Sequence, residues 1–401
     1  MAAAGRPERT ADAVVVGGGI MGLCTAWKLA AAGAGRVVLF EKRAFGSGES
    51  GKSGAILRQH YSHATLVRMA RASLFEYREL HERTRGGIGL RNPGMVFVCD
   101  ARERAGLEAN VALQRGCGVE VELLDAKALR ALEPGARIEE SLAGALEPEA
   151  SFVVPQLALA AAAAEARAAG AGLREGERVA RIELDGQRRV AGVALADGTA
   201  LATRTVVVCG GPWSRALLQA GGVELPLQAL RPEQGFFVPP ASHRPAGRRI
   251  WADLVNGLYW KDEQTGFTRV GNLSYDGDEI VPDPDRYDEG VSGAFLADCR
   301  ARLARRLPAF DDAVCHGGVS ALYTVTPDAQ ALIGRVPGHE GLWIVSGFSG
   351  HGFKLGPSVG RGVTALVTGA DPGPLDPAFF APDRFARGVK QSGAYGFPVL
   401  G

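Results

Sequence analysis

The N-terminal part of the chain shows two hydrophobic patterns in close succession. AVVV at residues 13–16 is continuously apolar and runs into three glycines, whereas GLCTAWKLAAAG at 22–33 has the apolar spacing of a helix. A second apolar run, RVVLFEK, follows at 36–42. Short apolar runs bounded by glycine are typical of buried strands, and a period of about 3.6 residues is typical of helices. The pattern therefore predicts a strand, a glycine turn, a helix and a second strand, which make one βαβ unit.

Later segments alternate between this pattern and a different one. Asp-Gly turns at 185 and 197 separate apolar runs and predict an antiparallel meander that ends in a strand before Gly210. From 223 to 319, aromatic residues, prolines and short apolar runs predict a separate sheet. GLWIVSG at 341–347 again leads from a strand into glycines and a helix. Strands that run into glycines, as in nucleotide-binding folds, thus lie at both ends and in the middle of the chain. The chain is therefore expected to interleave two domains.

Composition narrows the class of protein. The 401 residues are 46% hydrophobic and 22% charged, with a net charge of +1, which is typical of a globular protein and gives no support to nucleic acid or anionic membrane partners. The six cysteines and seven histidines lack metal-ligand spacing, so a reduced, cytoplasmic protein without a metal site is expected. We expect neither a signal peptide nor a membrane-spanning segment.

A glycine motif follows the first predicted strand. The sequence GGGIMG carries GxGxxG at residues 17–22, and Glu41 stands 19 residues after its last glycine. Such glycines let a backbone approach a pyrophosphate at a helix N-terminus, and an acid about 20 residues further on accepts hydrogen bonds from a ribose. The motif favours an adenine dinucleotide with an unphosphorylated ribose. NADP stays open because of Lys42 and Arg43, as does a purely structural glycine turn.

A second small-residue segment helps to decide between NAD and FAD. GSGESGKSGAILRQHYS, residues 46–62, is longer than a simple loop needs to be. Its backbone and hydroxyl donors suit the ribityl chain and phosphates of a flavin, so it favours FAD. A flexible surface loop is the alternative.

Taken together, the motifs resemble one family. The chain resembles the D-amino acid oxidase superfamily of flavoproteins, most closely the branch of sarcosine oxidases and dimethylglycine oxidase-like amine oxidases. The motifs that carry the resemblance, in chain order, are the GxGxxG with Glu41, SGKSGAILR, VVVCGGPWS, LQALRPEQG, YTVTPDAQALIG and SGFSGHGFKLGPSVGR.

The resemblance implies an α/β fold with two interleaved domains. A Rossmann-type FAD-binding domain would comprise residues 10–85, 150–220 and 325–385. A substrate domain of α+β type, built on a mixed sheet, would comprise residues 86–149 and 221–324.

The resemblance also implies which residues hold FAD. The cysteine that tethers flavin in monomeric sarcosine oxidases would fall at Ala321, so non-covalent FAD is expected. His351, between glycines, is expected at the flavin edge. The full set of expected contacts is Gly17, Gly19, Ile20, Met21, Gly22, Glu41, Lys42, Ser50, Gly51, Lys52, Ser53, Val179, Gly210, Gly211, Trp213, Gly350, His351, Gly352, Phe353 and Lys354.

Lys354 is the first of the implied catalytic residues. It matches the lysine that binds the substrate carboxylate in sarcosine oxidase-like enzymes, and a surface lysine is the alternative. Gly356 and Pro357 predict a helix start beside it, which would point partial positive charge at the flavin. Tyr259 and Tyr323 match active-site tyrosines that orient a carboxylate or amine, although both would also serve as core aromatics.

Other matches are looser. Arg269 stands near a lysine that helps oxygen react with reduced flavin, and the replacement leaves oxygen reactivity open. Arg58, His60 and Tyr61 are expected near the ring or substrate, with a hydrogen-bonded core histidine as the alternative for His60. The histidine expected a few residues beyond Arg269 is missing, since Asn272 and Leu273 stand there, which argues against plain sarcosine as the substrate.

The resemblance implies an FAD-dependent oxidase of a small amino acid or a secondary amine. Hydride would pass from the carbon next to nitrogen to flavin N5, giving an imine, and O2 would regenerate FAD with release of H2O2. A monomer or homo-oligomer is expected. The alternatives are a dehydrogenase of the same fold with another electron acceptor, a non-catalytic flavoprotein subunit and an NAD-dependent dehydrogenase.

Overall fold

A computed structural model describes residues 10–241 and 248–395 and shows a mixed α/β fold. The predicted βαβ unit lies in the middle of a six-stranded sheet, where β1 and β2 pair in parallel with Val15 opposite Leu39. The apolar runs are continuous because both faces of these strands are covered. Across the sheet, the strands are β21 (Leu332–Arg335), β22 (Leu342–Ser346), β12 (Val206–Val208), β1 (Ala13–Val16), β2 (Val37–Glu41) and β8 (Gly172–Glu175).

Helices pack on this sheet, and two of them follow its glycine loops. α1 packs closely on α9, because a Cβ on Gly360 would lie 2.6 Å from the carbonyl oxygen of Cys24. Gly369 ends α9 in a left-handed conformation, as a helix stop does. The helices are α1 (Ile20–Ala31), α2 (Glu49–Lys52), α3 (Ala64–Arg83), α6 (Pro155–Ala168), α7 (Ser214–Gln219) and α9 (Gly356–Thr368).

The predicted meander is present, although its last strand belongs elsewhere. β9 (Val179–Leu184), β10 (Val190–Leu195) and β11 (Ala200–Ala202) form a three-stranded antiparallel sheet. The strand before Gly210, β12, instead pairs in parallel with β1 and β22. Its VVV sequence is buried on both faces, which fits a central strand better than an outer meander.

The aromatic region forms most of an eight-stranded sheet. Strands from 233–320 meet strands from 95–147 through the parallel pair β15 and β4, and the other pairs are antiparallel. Stacked Trp251 and Trp260, with ring centroids 5.7 Å apart, fill its core. The order is β19 (Val314–Ser320), β14 (Glu233–Val238), β17 (Thr268–Asn272), β16 (Leu258–Asp262), β15 (Ile250–Asp253), β4 (Met95–Cys99), β6 (Ala143–Glu147) and β5 (Glu122–Leu124).

Smaller elements complete the described fold. A helix that sequence patterning did not predict, α8, packs Cys299 and Leu303 against the eight-stranded sheet. The remaining elements are α4 (Arg104–Gly116), α5 (Ala126–Leu132), α8 (Gly293–Arg306), β3 (Ile56–Leu57) paired with β7 (Ser151–Phe152), and the small sheet of β18 (Glu279–Ile280), β13 (Gln228–Arg231) and β20 (Tyr323–Val325).

The two large sheets draw on different stretches of the chain. Every strand of the six-stranded sheet lies within 10–85, 150–220 or 325–385, and every strand of the eight-stranded sheet lies within 86–149 or 221–324. The division into two domains at those boundaries stays a prediction. Among the described residues, no helix is both long and apolar enough to cross a lipid bilayer.

Candidate active site

A cavity of about 460 Å³ lies between the two large sheets. One wall is formed at the carboxyl ends of β1, β2, β12 and β22, and the other by residues of β4, β15 and β16. In α/β proteins, the carboxyl ends of parallel strands are where ligands bind. The cavity is therefore the place to look for both a cofactor and a substrate.

The glycines of the first loop have specific steric reasons to be there. Gly17 has a φ of +111°, and a Cβ on it would lie 2.5 Å from the carbonyl oxygen of Cys209. A Cβ on Gly22 would lie 1.8 Å from the carbonyl oxygen of Gly17. Larger residues would push the strand and the helix apart, so the glycines bring the N-terminus of α1 to the cavity wall.

Polar groups around this loop fit a dinucleotide. Glu41 accepts a hydrogen bond from the Gly18 amide at 2.7 Å, which fixes its carboxylate at the end of β2, where a ribose would lie. Ser50 accepts from the Ile20 amide at 3.1 Å, so the glycine and serine segment folds over the first loop. The donors of this segment and the N-terminus of α1 suit a pyrophosphate and a ribityl chain, and the residues present fit FAD.

Most of the expected cofactor contacts lie at this cavity. Those that line it are Gly17, Gly19, Ile20, Met21, Glu41, Lys42, Ser50, Lys52, Ser53, Val179, Gly210, Gly211, Trp213, Gly350, Gly352, Phe353 and Lys354. Ala321 also lines it, so no thiol is present at the position of the tethering cysteine.

Three expected contacts lie outside the lining. Gly22 and Gly51 act behind it, where a Cβ would meet the carbonyl oxygens of Gly17 and Gly46 at 1.8 and 2.1 Å. The ring of His351 points away, because its Nε2 pairs with the Ala329 carbonyl at 3.0 Å. Burial lowers the pKa of His351 to about 3, so the ring is neutral and acts as a packing group.

Lys354 is placed for an anion. It lies in a 3₁₀ turn, Phe353–Leu355, directly before α9, and it is 4% exposed. Burial, together with the nearby Arg58, lowers its pKa well below the ordinary value, while Glu147 opposes that shift. A carboxylate in the cavity would favour its charged form. The predicted helix start at Gly356 and Pro357 is confirmed.

Arg58 is the second cation at this end of the cavity. It lines the cavity beside Lys354 and donates a hydrogen bond to the His60 carbonyl oxygen. Its guanidinium lies 4.6 Å from the ring centroid of Tyr61. Two buried cations in one wall favour a carboxylate ligand.

Glu147 is a site residue that the sequence analysis missed. Its carboxylate is 0% exposed and accepts hydrogen bonds from the Gln59 amide at 2.9 Å and from Gln114 Nε2 at 2.6 Å. Burial raises its pKa, and Arg58 and Lys354 act against this. With these three groups charged, the cluster carries one excess positive charge, which a single carboxylate balances. No local motif marks Glu147, because only strand pairing brings it to the cluster.

His60 is not at the cavity wall. It stacks on Phe97 with ring centroids 4.1 Å apart, and its Nδ1 lies 2.8 Å from Gln114 Oε1. Tyr395 pairs with its other ring nitrogen. Burial lowers its pKa to about 3. His60 is therefore the hydrogen-bonded core histidine of the alternative interpretation, and it lies behind the site, against Arg58 and Glu147.

Both predicted tyrosines line the cavity. Burial raises the pKa of Tyr259 to about 12, and it raises that of Tyr323 as well, so both phenols stay protonated and can donate hydrogen bonds. A Cβ on Gly350 would lie 2.8 Å from the Tyr323 ring, which makes glycine necessary beside it. Leu273 lines the cavity where a histidine was expected, so that wall is apolar.

Arg269 lies behind the lining and not in it. Its guanidinium pairs with Glu263 and Gln234 and donates to the Lys52 carbonyl at 3.2 Å. Lys261, missed by the sequence analysis, is 1% exposed, with its Nζ 2.7 Å from Glu263 Oε2. Burial lowers the pKa of Lys261 to about 8.

Arg269 and Lys261 both approach the glycine and serine segment, residues 46–62, on the side away from the cavity. A Cβ on Gly54, which lines the cavity, would lie 3.6 Å from Arg269 Cδ and 3.7 Å from Lys261 Cε. The described residues contain no group of His, Cys, Asp and Glu side chains that could hold a metal ion.

A Rossmann-type sheet, a glycine loop with an acid at the end of the next strand and a cavity that continues to buried cations are typical of dinucleotide-dependent oxidoreductases. Residues 12–366 match the model of one family, DAO: FAD dependent oxidoreductase. The chain belongs to this family, which confirms the resemblance, the fold class and FAD as the cofactor.

Individual relatives agree with this assignment. Glycine oxidase of Pseudomonas putida is 30% identical over 379 residues, covering 92% of this chain and 98% of that protein. Human peroxisomal sarcosine oxidase is 28% identical, covering 97% of each chain. Among solved structures, L-proline dehydrogenase from P. horikoshii has a TM-score of 0.87 at 25% identity, covering 96% of this chain and 100% of its own.

Proposed function

We propose that the protein is an FAD-dependent oxidase of a small amino acid with one carboxylate, with a secondary N-alkyl or cyclic amine as the preferred substrate. The observation that carries the proposal is the pair of buried cations at the cavity wall, Lys354 and Arg58, in a cavity that also has an apolar part. The apolar part of that pocket is formed by Met95, Phe97, Ala252, Leu273 and Leu322. The names of the glycine and sarcosine oxidase relatives support this substrate class.

The side chains have distinct roles in this reaction. Lys354 and Arg58 hold the carboxylate, which fixes the position of the carbon next to nitrogen. Such positioning lowers the activation barrier by roughly 7 to 11 kcal/mol when the geometry is ideal. Tyr259 and Tyr323 donate hydrogen bonds and stay neutral. The apolar wall excludes water and favours the uncharged amine. Bound FAD would supply the two-electron oxidation of this carbon, and O2 would take up the two electrons to give hydrogen peroxide.

The reaction of reduced flavin with O2 is assigned to Lys261 and Arg269, the two cations behind Gly54. A fixed positive charge favours electron transfer from a reduced flavin to O2, because the first product is an anion. Lys261 supplies this charge from β16, opposite Arg269 in β17. We propose Lys261 for the role that the resemblance gave to the position of Arg269.

A dehydrogenase that passes electrons to another acceptor is the second candidate. It is favoured by the arginine at position 269 and by the likeness to L-proline dehydrogenase. In that case reduced protein would stay reduced in air for many turnover times. A non-catalytic flavoprotein would not be reduced by any amine.

One experiment separates these functions. The yellow protein is mixed anaerobically with glycine, sarcosine, N-methylalanine, proline, pipecolate and their decarboxylated amines, and flavin bleaching is followed at 450 nm. Oxygen is then admitted, and peroxide is measured. Bleaching by secondary amino acids, but not by the decarboxylated amines, followed by stoichiometric peroxide, is the expected result. Bleaching without peroxide supports the dehydrogenase, and no bleaching by any compound contradicts both.

Three further properties belong to this proposal. FAD is held non-covalently, in line with Ala321 at the cavity wall, so acid precipitation should leave yellow flavin in the supernatant. A cytoplasmic location is supported by the six free cysteines. A monomer or a homo-oligomer acting on a soluble small molecule is the expected form.

A further inference from the structure

An acidic loop that follows β18 reaches across to the cofactor side of the cavity. The clasp loop, residues 281–290 (VPDPDRYDEG), places Asp285 against Lys42 and against Trp213, whose Nε1 donates at 3.0 Å. Lys52 Nζ donates to the Tyr287 hydroxyl at 2.7 Å and lies 3.1 Å from Glu289. More than 230 positions in sequence separate each lysine from its partner, so these contacts tie distant parts of the chain together.

Lys42, Lys52 and Trp213, which the side chains of Asp285, Tyr287 and Glu289 contact, all line the cavity. Lys42 follows the ribose-binding Glu41, Lys52 lies in the glycine and serine segment, and Trp213 follows the Gly210–Gly211 pair. Lys42 Nζ also lies 3.7 Å from the ring centroid of Trp213. The loop therefore contacts the dinucleotide end of the cavity, where the glycine loop lies, at three points. These contacts do not involve the carboxylate end, where Lys354 and Arg58 lie.

Exposure shows that these contacts are at the rim of the cavity. The lysine side chains are 18% and 17% exposed, whereas Asp285 and Glu289 are 40% and 59% exposed. The cations thus lie between the cavity and an acidic outer layer. A bound FAD would meet the lysines from inside, and the clasp loop holds them from outside.

Both ends of the loop are anchored, since the Val281 amide donates to the Ala229 carbonyl oxygen at 2.8 Å at the N-terminal end. Arg231 donates to the carbonyl oxygens of Asp288 and Gly290 at 2.7 Å each, which anchors the C-terminal end. The segment before it contains Pro282 and Pro284 and continues from a two-residue edge strand, β18. Breaking the side-chain contacts of Asp285, Tyr287 and Glu289 would release the loop from the cavity rim without unfolding its two anchors.

We propose that the clasp loop retains FAD, because Asp285, Tyr287 and Glu289 must separate from Lys42, Trp213 and Lys52 before the dinucleotide can leave. The loop is a positioning element for the cofactor and takes no part in amine oxidation. The proposal rests on FAD binding and is independent of the substrate.

The test is the rate at which FAD leaves the holoenzyme. Each protein is diluted to nanomolar concentration, and the rise of free FAD fluorescence gives the dissociation rate. Asp285→Asn is expected to speed release about two- to fivefold, which is the range for one exposed ion pair. The triple variant Asp285→Asn, Tyr287→Phe, Glu289→Gln is expected to speed it tenfold or more. Salt at about 0.5 M should accelerate release more in the wild type than in the triple variant, because the triple variant has lost the ion pairs of the loop.

Arg286→Gln is the matched control within the same loop. Arg286 is 88% exposed and pairs only weakly with Asp283, at 3.6 Å, so release should match that of the wild type. Circular dichroism melting checks that every variant is folded at the assay temperature. A release rate within a factor of two of the wild type in the triple variant overturns the proposal. Slower release also overturns it, because the acids would then be competing with the cofactor for the lysines. The assay contains no amine, so its outcome and that of the substrate panel are separate.

Discussion

The two ends of the cavity are built by different means. At the dinucleotide end, the glycine loops of a few local segments bring the backbone to the cavity, and glycines set how closely these segments approach. At the carboxylate end, long side chains from distant segments meet, and burial and charge decide their behaviour, as with Lys354, Arg58 and Glu147. The first end tolerates little change in shape, whereas the second is sensitive to the loss of charge. Substitutions should therefore fail in different ways at the two ends.

The largest effect is expected at the dinucleotide end. Gly22→Ala puts a Cβ 1.8 Å from the Gly17 carbonyl oxygen, and the resulting overpacking costs about 3 kcal/mol or more, roughly a hundredfold in FAD affinity. Flavin content after purification and FAD titration measure it. Gly186→Ala, where no atom lies within 4 Å, is the control and should keep full flavin content. Normal flavin content in Gly22→Ala would show that the loop can relax.

The second effect isolates the carboxylate end. Lys354→Met should keep FAD but lower kcat/KM for amino acids by roughly a hundredfold or more, since losing one partner of a buried charge pair costs about 2 to 5 kcal/mol. Lys127→Met removes an exposed lysine and should leave kinetics unchanged. Unchanged turnover in Lys354→Met, with flavin content normal, would remove Lys354 from the site.

The third effect concerns pH. Cyclopentanecarboxylate carries no nitrogen and should bind without being oxidised, perturbing the flavin spectrum. It favours protonated Lys354, whose pKa in the free protein is lowered by burial and Arg58. Binding should be strongest below that pKa and weaken about tenfold for each pH unit above it, until the pKa of the complex is reached. The other groups that face Lys354 are Glu147, Tyr61 and His351.

Lys354→Met serves as the control for the pH experiment, because it should bind weakly and without this decline. A wild-type affinity that stays flat from pH 6 to pH 10 would contradict the assignment of the carboxylate to Lys354.

The smallest effect lies behind Gly54. Lys261→Met should slow the reaction of reduced flavin with O2 roughly fivefold to tenfold, because one nearby charge is lost while Arg269 remains. Anaerobic reduction by substrate should stay as in the wild type, and Lys261→Arg should restore reoxidation. Stopped-flow measurement of the two half-reactions separates these steps. A slower reductive half-reaction would instead place Lys261 in the substrate site.

The same contrast explains what could be predicted from the sequence. The dinucleotide end was predictable, because local conformation and sequence spacing determine where Gly17 and Glu41 lie. Glu147 escaped, since only the fold brings it to Gln59 and the two cations, 88 positions away in sequence from Gln59. Lys261 lies directly opposite Arg269 in a neighbouring strand, and only the fold brings both of them behind Gly54. His60 and His351 stand beside site residues in the sequence, yet their rings turn into the core to satisfy hydrogen bonds. In an irregular segment, the place of a residue in the sequence does not determine where its side chain points, because the hydrogen-bond partners in the folded protein decide it.

The close packing of α1 on α9 has a consequence for the making of the protein. The cavity wall includes residues from Val16 to Lys354, and β1 is completed by β12, which itself pairs with β22. At about 5 to 20 residues per second, the ribosome takes roughly 17 to 70 s to proceed from the first glycine loop to Lys354. During that interval, the nascent chain has its dinucleotide motif but lacks the helix that supports it. The cavity wall is therefore complete only once residues as late as Lys354 have been made.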